Sequence, residues 1–146
     1  MRRWRPWLAA LMRAGIGAAA LGAGAAGGAL AHHSYAMFDS TKLVVLKGTL
    51  LSFTYVNPHS FISVVGSPDE ATAPARWDVE ATSPSSLAAI GIKSDTLKPG
   101  EKLTIALRPL RDGRLGGSMV FVITPDGMTH GANPANLGLD PAKLKP

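Results

Sequence analysis

An all-β chain folded as a small five-stranded barrel is what this sequence predicts, and three observations carry the prediction. Short alternating apolar runs, separated by turn residues, recur between residues 43 and 123. A single short helix signature stands between the third and fourth runs. The first run is long and changes the phase of its alternation partway along.

Leu43 to Val56 is that first run. Val44, Leu46 and Leu50 share one face, Leu51, Phe53 and Tyr55 the other, and Gly48 sits near the switch. A glycine with a phase slip marks a bulge or sharp coil, which lets one strand serve two sides of a barrel. Asn57-Pro58-His59 is a turn, because Pro58 fixes its own φ and pushes Asn57 out of the helical region. Phe61 to Val65 returns as the second strand. After a loop rich in Pro, Ala and Asp, Trp77-Asp78-Val79-Glu80 alternates apolar and acidic as a half-buried strand does. Ser83 to Gly91 holds a Ser cap, a first-turn Pro and a terminal Gly, and so reads as one short helix. Pro99-Gly100 turns into Leu103, Ile105 and Leu107, and Asp112-Gly113 turns toward Met119, Phe121 and Ile123, each set on alternate positions. Asp126-Gly127 closes the last strand. Five strands with a helix between the third and fourth is the order of the oligonucleotide/oligosaccharide-binding (OB-like) barrel, with an open β-sandwich as the alternative. The fold alone names no function.

The chain ahead of the barrel has the layout of a cleaved secretory signal peptide over residues 1–31. Arg2, Arg3, Arg5 and Arg13 come with no acid, an Ala/Gly/Leu stretch follows, and Ala29-Leu30-Ala31 matches the small-x-small cleavage pattern. The apolar stretch is short and glycine-rich for a retained anchor. Arg2-Arg3 hints at twin-arginine export, but Trp4-Arg5-Pro6 fits that signal poorly, so general secretion to the periplasm or beyond leads. The barrel domain then spans 32–127. Residues 128–146, with Asn133-Pro134, Asp140-Pro141 and few large apolar residues, read as an irregular tail. Removing the leader takes four of the 15 Lys and Arg and none of the 10 Asp and Glu, leaving 11 basic against 10 acidic residues. Nucleic-acid binding loses its electrostatic footprint. With no cysteine in the chain, there are neither disulfides nor thiolate ligands, so a metal site must use His, Met, carboxylate or the chain terminus.

The segments "HHSYAMFD", "GTLLSFTYVNPHSFISV", "WDVEATSPSSLAAIGI", "SDTLKPGEKLTI" and "RDGRLGG" closely resemble a family of small exported proteobacterial proteins of unknown function. The resemblance runs from His32 to about Gly127. Its most specific pieces are the His-His-Ser, the Asn-Pro-His turn and the Trp-x-Val-Glu strand. Tyr55 stands where the family usually has Trp, which keeps an aromatic at that corner. The resemblance implies export and one compact domain, and it implies no activity.

Function is therefore left to chemistry. Cleavage after Ala31 makes His32 the first residue, and its α-amine and imidazole Nδ1 can close a chelate ring on one metal ion. A further imidazole completes a roughly T-shaped three-nitrogen set, which suits Cu(II) in a tetragonal field. His59, at a strand-strand turn, is the candidate third nitrogen. His33 competes through a local set of amine, backbone amide and imidazole. The metal candidates are thus His32, His33 and His59, with copper as the ion. Against this stand bland readings: a polar start to the processed chain, and a His59 that hydrogen-bonds its own turn.

Other residues carry weaker signals. Met37, Met119 and Met128 offer thioether to Cu(I), although Met119 falls on an apolar alternation. His130 lies in the irregular tail, and Tyr35 and Tyr55 read as packing aromatics. Trp77 and Glu80 point to opposite faces of one strand, and Glu80 matters only if it lies close to a histidine. Arg108, Arg111 and Arg114 surround a hairpin tip that is solvated or receives an anion. Nucleophile-elbow, zinc-protease, phosphate-loop and dinucleotide patterns are absent, so no catalytic residue is nominated and a non-enzymatic role leads. Two classes remain: a periplasmic copper carrier, chaperone or sensor, with a metalloprotein or envelope protein as partner, and a metal-free module that binds an envelope peptide, glycan or protein on the barrel face.

Overall fold

The computed structural model describes residues 36–146. The leader, His32, His33 and Tyr35 lie outside the described residues. Within the unit 37–146, strands β1 (Val44–Thr54), β2 (Phe61–Ser67) and β3 (Ala75–Glu80) form an antiparallel meander. β1 also pairs antiparallel with β4 (Lys102–Pro109), and β4 with β5 (Gly116–Ile123). β5 then runs parallel to β3, closing a five-stranded mixed barrel of OB-like connectivity. A short β6 (Thr129–Gly131) pairs with the end of β5, outside the barrel.

Between β3 and β4 lies α1 (Pro84–Ala89). The Ser83 hydroxyl accepts from the Ser86 amide, Pro84 occupies the first turn where no amide hydrogen is needed, and Gly91 follows at φ 85°. The helix points Leu87 into the barrel, where it packs with Ile92 and Leu97 against the inward residues of the strands. Trp77 and Val79 face this core and Asp78 is exposed, as the alternation requires.

Two irregularities set which apolar residues meet. The register of β1 against β2 slips between Leu50 and Ser52, so Leu51 is the extra residue and is left 43% exposed. Phe53 and Tyr55 thereby return to the interior that Leu46 and Leu50 line. The phase change thus delivers Phe53 and Tyr55 to the same core as Val44, Leu46 and Leu50, where the alternation alone assigned them to opposite sides, and it falls at Leu51 rather than at Gly48. On β5 the register skips Val120, because Leu107 faces Met119 while Ala106 faces Phe121. Met119 packs inward, whereas Phe121 and Ile123 turn outward into a second cluster with Ala106 and Leu144. The three residues expected on one face are therefore split between two.

That second cluster is covered by the carboxy-terminal stretch. Pro134–Leu137 and Pro141–Leu144 form 3-10 turns, capped by the side chains of Asn133 and Asp140, and Leu137, Leu139 and Leu144 pack onto the outer face. At the other end of the described chain, buried Phe38 bridges to Leu110 and the Asp39 amide donates to the Pro109 carbonyl. No helix among the described residues is long and apolar enough to cross a membrane.

Barrel closure depends on Gly116 and Gly117, which open β5 although their sequence reads as part of a turn. A Cβ at Gly116 would overlap the Asp78 carbonyl oxygen, and one at Gly117 would overlap the Arg108 carbonyl oxygen and crowd the Leu107 side chain. Gly117→Ala is expected to lower stability by about 1–3 kcal/mol, the range for forcing atoms into a packed site. Urea unfolding measures it, and an unchanged midpoint would mean that the strands part there without cost.

A second expectation concerns acid. The Asp39 carboxylate accepts from the Thr41 hydroxyl and lies 3.2 Å from the Lys42 ammonium, and these partners hold its pKa down at about 2 against an ordinary 3.8. A depressed folded-state pKa means that this tie is present above the ordinary value and is lost as pH falls through about 2. A carboxyl chemical-shift titration should place the Asp39 midpoint well below that of a free aspartate.

Candidate functional site

The register at the start of β2 fixes the site. Phe61 lies opposite Glu80 on one side and Thr54 on the other. Just before the strand, the backbone continues the ladder: the Ala81 amide donates to the Ser60 carbonyl and the Ser60 amide to the Thr82 carbonyl. Ser60 is fully buried. These bonds carry the Asn57–His59 turn around so that His59 Nδ1 meets the Glu80 carboxylate in a hydrogen-bonding contact. An ionised carboxylate only accepts, so Nδ1 carries the hydrogen, and in the neutral imidazole Nε2 is the nitrogen with the lone pair. The His59 side chain is 38% exposed, which leaves the Nε2 edge of the ring reachable. A carboxylate that fixes the tautomer and orientation of an imidazole is the usual outer partner of a ligating histidine.

Glu80 thus fulfils the condition on which its relevance rested, closeness to a histidine. Its neighbour along the same outer face, Asp78, is held below the ordinary carboxylate range by the Ser63 hydroxyl, with Arg76 adding to the effect. Tyr55 does structural work: its ring packs edge-on against Phe53 at 5.6 Å, and its hydroxyl donates to the Pro84 carbonyl at 2.7 Å. The end of β1 is thereby pinned to the start of α1, and the turn that carries His59 springs from this pinned end.

Among the described residues, no three of His, Asp and Glu converge as a metal-binding group. His59 and Glu80 therefore provide one imidazole and its carboxylate partner, and further donors must come from elsewhere. The candidates His32 and His33 lie outside the described residues. At the hairpin between β4 and β5, Arg114 pairs with Asp112 at 2.8 Å and Arg108 donates to the Lys42 carbonyl, so these two cations are engaged within the fold.

His130, expected in an irregular tail, is held in a strand. It lies on β6 opposite Val122, is 6% exposed, and its Nδ1 is 2.9 Å from the Ile90 carbonyl oxygen. The signal was present in the Asp126-Gly127 turn followed by Met128-Thr129-His130, a hairpin with two soft or nitrogen donors on alternate positions.

The family of unknown function (DUF6152) matches residues 19–119, and the chain belongs to that family. No curated protein and no solved structure matches the chain.

The His59–Glu80 contact makes a spectroscopic expectation. Neutral His59 should be the Nδ1–H tautomer, readable from long-range ¹H–¹⁵N correlations, and Glu80→Ala should abolish that preference. Because the pair is partly exposed, the same substitution should change stability by no more than about 1 kcal/mol. A tautomer unmoved by Glu80→Ala would show that Glu80 does not orient the ring.

Proposed function

We propose that this family member is an exported periplasmic copper-binding protein, a carrier, chaperone or sensor, in which the processed amino-terminal histidine and His59 supply nitrogen ligands. The observation that supports it is the His59–Glu80 contact: a histidine at a strand-strand turn, its Nδ1 engaged by a carboxylate and its Nε2 reachable, is prepared as a metal ligand. The remaining nitrogens are the α-amine and imidazole of His32, released by cleavage after Ala31, with His33 as the competing local donor. Three nitrogens in a T-shaped set suit Cu(II), and neither a thiolate nor a cluster of carboxylates is required. Export rests on the arginine-led, apolar, Ala-x-Ala leader.

A second reading has its own observation. Leu51, Val56 and Phe61 are each more than 40% exposed on the β1–β2 hairpin, which gives a metal-free barrel an apolar surface for an envelope peptide, glycan or protein.

Copper titration with electron paramagnetic resonance separates the two. A chain beginning at His32 should bind Cu(II) with a nitrogen-rich tetragonal signal, and a chain with one extra Ala in front should not. His59→Ala should weaken binding roughly tenfold or more. Equal binding by both amino-terminal forms, or by neither, would sink the copper reading. An unchanged affinity in His59→Ala would remove His59 from the site.

A further inference from the structure

A recess apart from the His59–Glu80 site lies where the chain after β5 meets the end of α1. Gly91, Thr96, Glu101, Thr124, Asp126, Met128 and His130 line a recess of about 320 Å³. His130 is nearly buried there, and the only role open to the Ile90 carbonyl oxygen is that of acceptor, so His130 Nδ1 must donate. That assignment leaves Nε2 with a lone pair, and no hydrogen bond among the described residues uses it. Residue 91 suits this placement: at φ 85°, a Cβ on Gly91 would come within 3.2 Å of His130 Nδ1, so a side chain there would press on the ring.

Met128 lies two residues before His130, and in an extended chain residues two apart share a face. It lines the same recess and is 58% exposed, the most exposed of the large apolar residues among those described. Its backbone is fixed on both sides: its amide donates to Asp126 and its carbonyl accepts from the Thr124 amide. Asp126 also accepts from the Thr124 hydroxyl, which fixes its carboxyl group at the edge of the recess. Glu101 adds a second carboxylate, itself fixed by the Lys98 amide.

We propose that Met128 and His130 form a Cu(I) site, in which thioether sulfur and imidazole Nε2 bind the ion and the carboxylates of Asp126 and Glu101 attract it. One soft sulfur and one nitrogen match Cu(I), which accepts low coordination numbers, and they match poorly the hard cations that prefer oxygen. The remaining open side of the recess leaves room for a donor from a molecule delivering or receiving the ion. The site uses neither His32, His33 nor His59, so it stands or falls separately from the Cu(II) reading.

The test is anaerobic Cu(I) titration of the processed chain against a chromophoric chelator, with copper X-ray absorption, in a His59→Ala background. One bound ion with a sulfur scatterer is expected. Met128→Leu keeps an exposed apolar side chain, so it should unfold at the same temperature while losing the sulfur scatterer and roughly tenfold or more in affinity. His130→Asn keeps a donor for the Ile90 carbonyl and lacks Nε2, and it should lose binding to a similar extent. Persistence of the sulfur scatterer in Met128→Leu, equal affinity in that variant, or no Cu(I) uptake by the parent would each overturn the site. Should His130→Asn fail to fold, Met128→Leu alone decides.

Discussion

Closure of the barrel along a three-residue parallel seam, Asp78–Glu80 against Gly116–Ser118, is the constraint on which the rest of the molecule depends. Four of the five barrel contacts are antiparallel neighbours that local turns and crossovers bring together. The fifth joins strands far apart in sequence and runs parallel, and it exists because Gly116 and Gly117 let the backbones of β3, β4 and β5 approach without an intervening side chain. The same edge of β5 is then divided. Its first half takes β3, and its second half takes β6. Glu80 sits at the end of the first contact and His130 on the second, so the strand that closes the barrel also positions both candidate sites.

Much of this was legible in the residues, and the parts that were not share a physical cause. The strands, the capped helix and their order follow from local periodicity and turn chemistry, which each segment carries by itself. Register does not. Leu51 and Val120 are bulged because of what lies opposite them, and the alternation of Met119, Phe121 and Ile123 looks unbroken until β4 is placed alongside. Gly116-Gly117 resembled an extended turn for the same reason, since the demand for glycine comes from a carbonyl oxygen on another strand. The partnership of His59 with Glu80 could be stated from sequence only as a condition, because it spans the β2–β3 ladder. His130 was discounted because three leucines spread through a proline-rich stretch do not look like a docking face, yet they suffice to hold that stretch against the outer cluster.

The two histidines compared make a chemical contrast within one small barrel. In both, Nδ1 is occupied by an oxygen acceptor and Nε2 is left as the nitrogen with the lone pair. His59 faces a carboxylate at a half-exposed turn. His130 faces a neutral carbonyl in a nearly buried setting, and Met128 lines the same recess.

The division of β5 between β3 and β6 also bears on how the protein behaves when concentrated. A β-sheet invites other chains to add to any long open edge, and small β-proteins ordinarily guard such edges with charge, bulges or proline. Here the edge of β5 is taken up on both halves, and the strand that ends the sheet, Thr129–Gly131, is three residues long and is followed by Asn133-Pro134. So short a template offers few unpaired amides and carbonyls to a passing strand, which equips the barrel to stay dispersed in a crowded compartment without chaperoning of its edges.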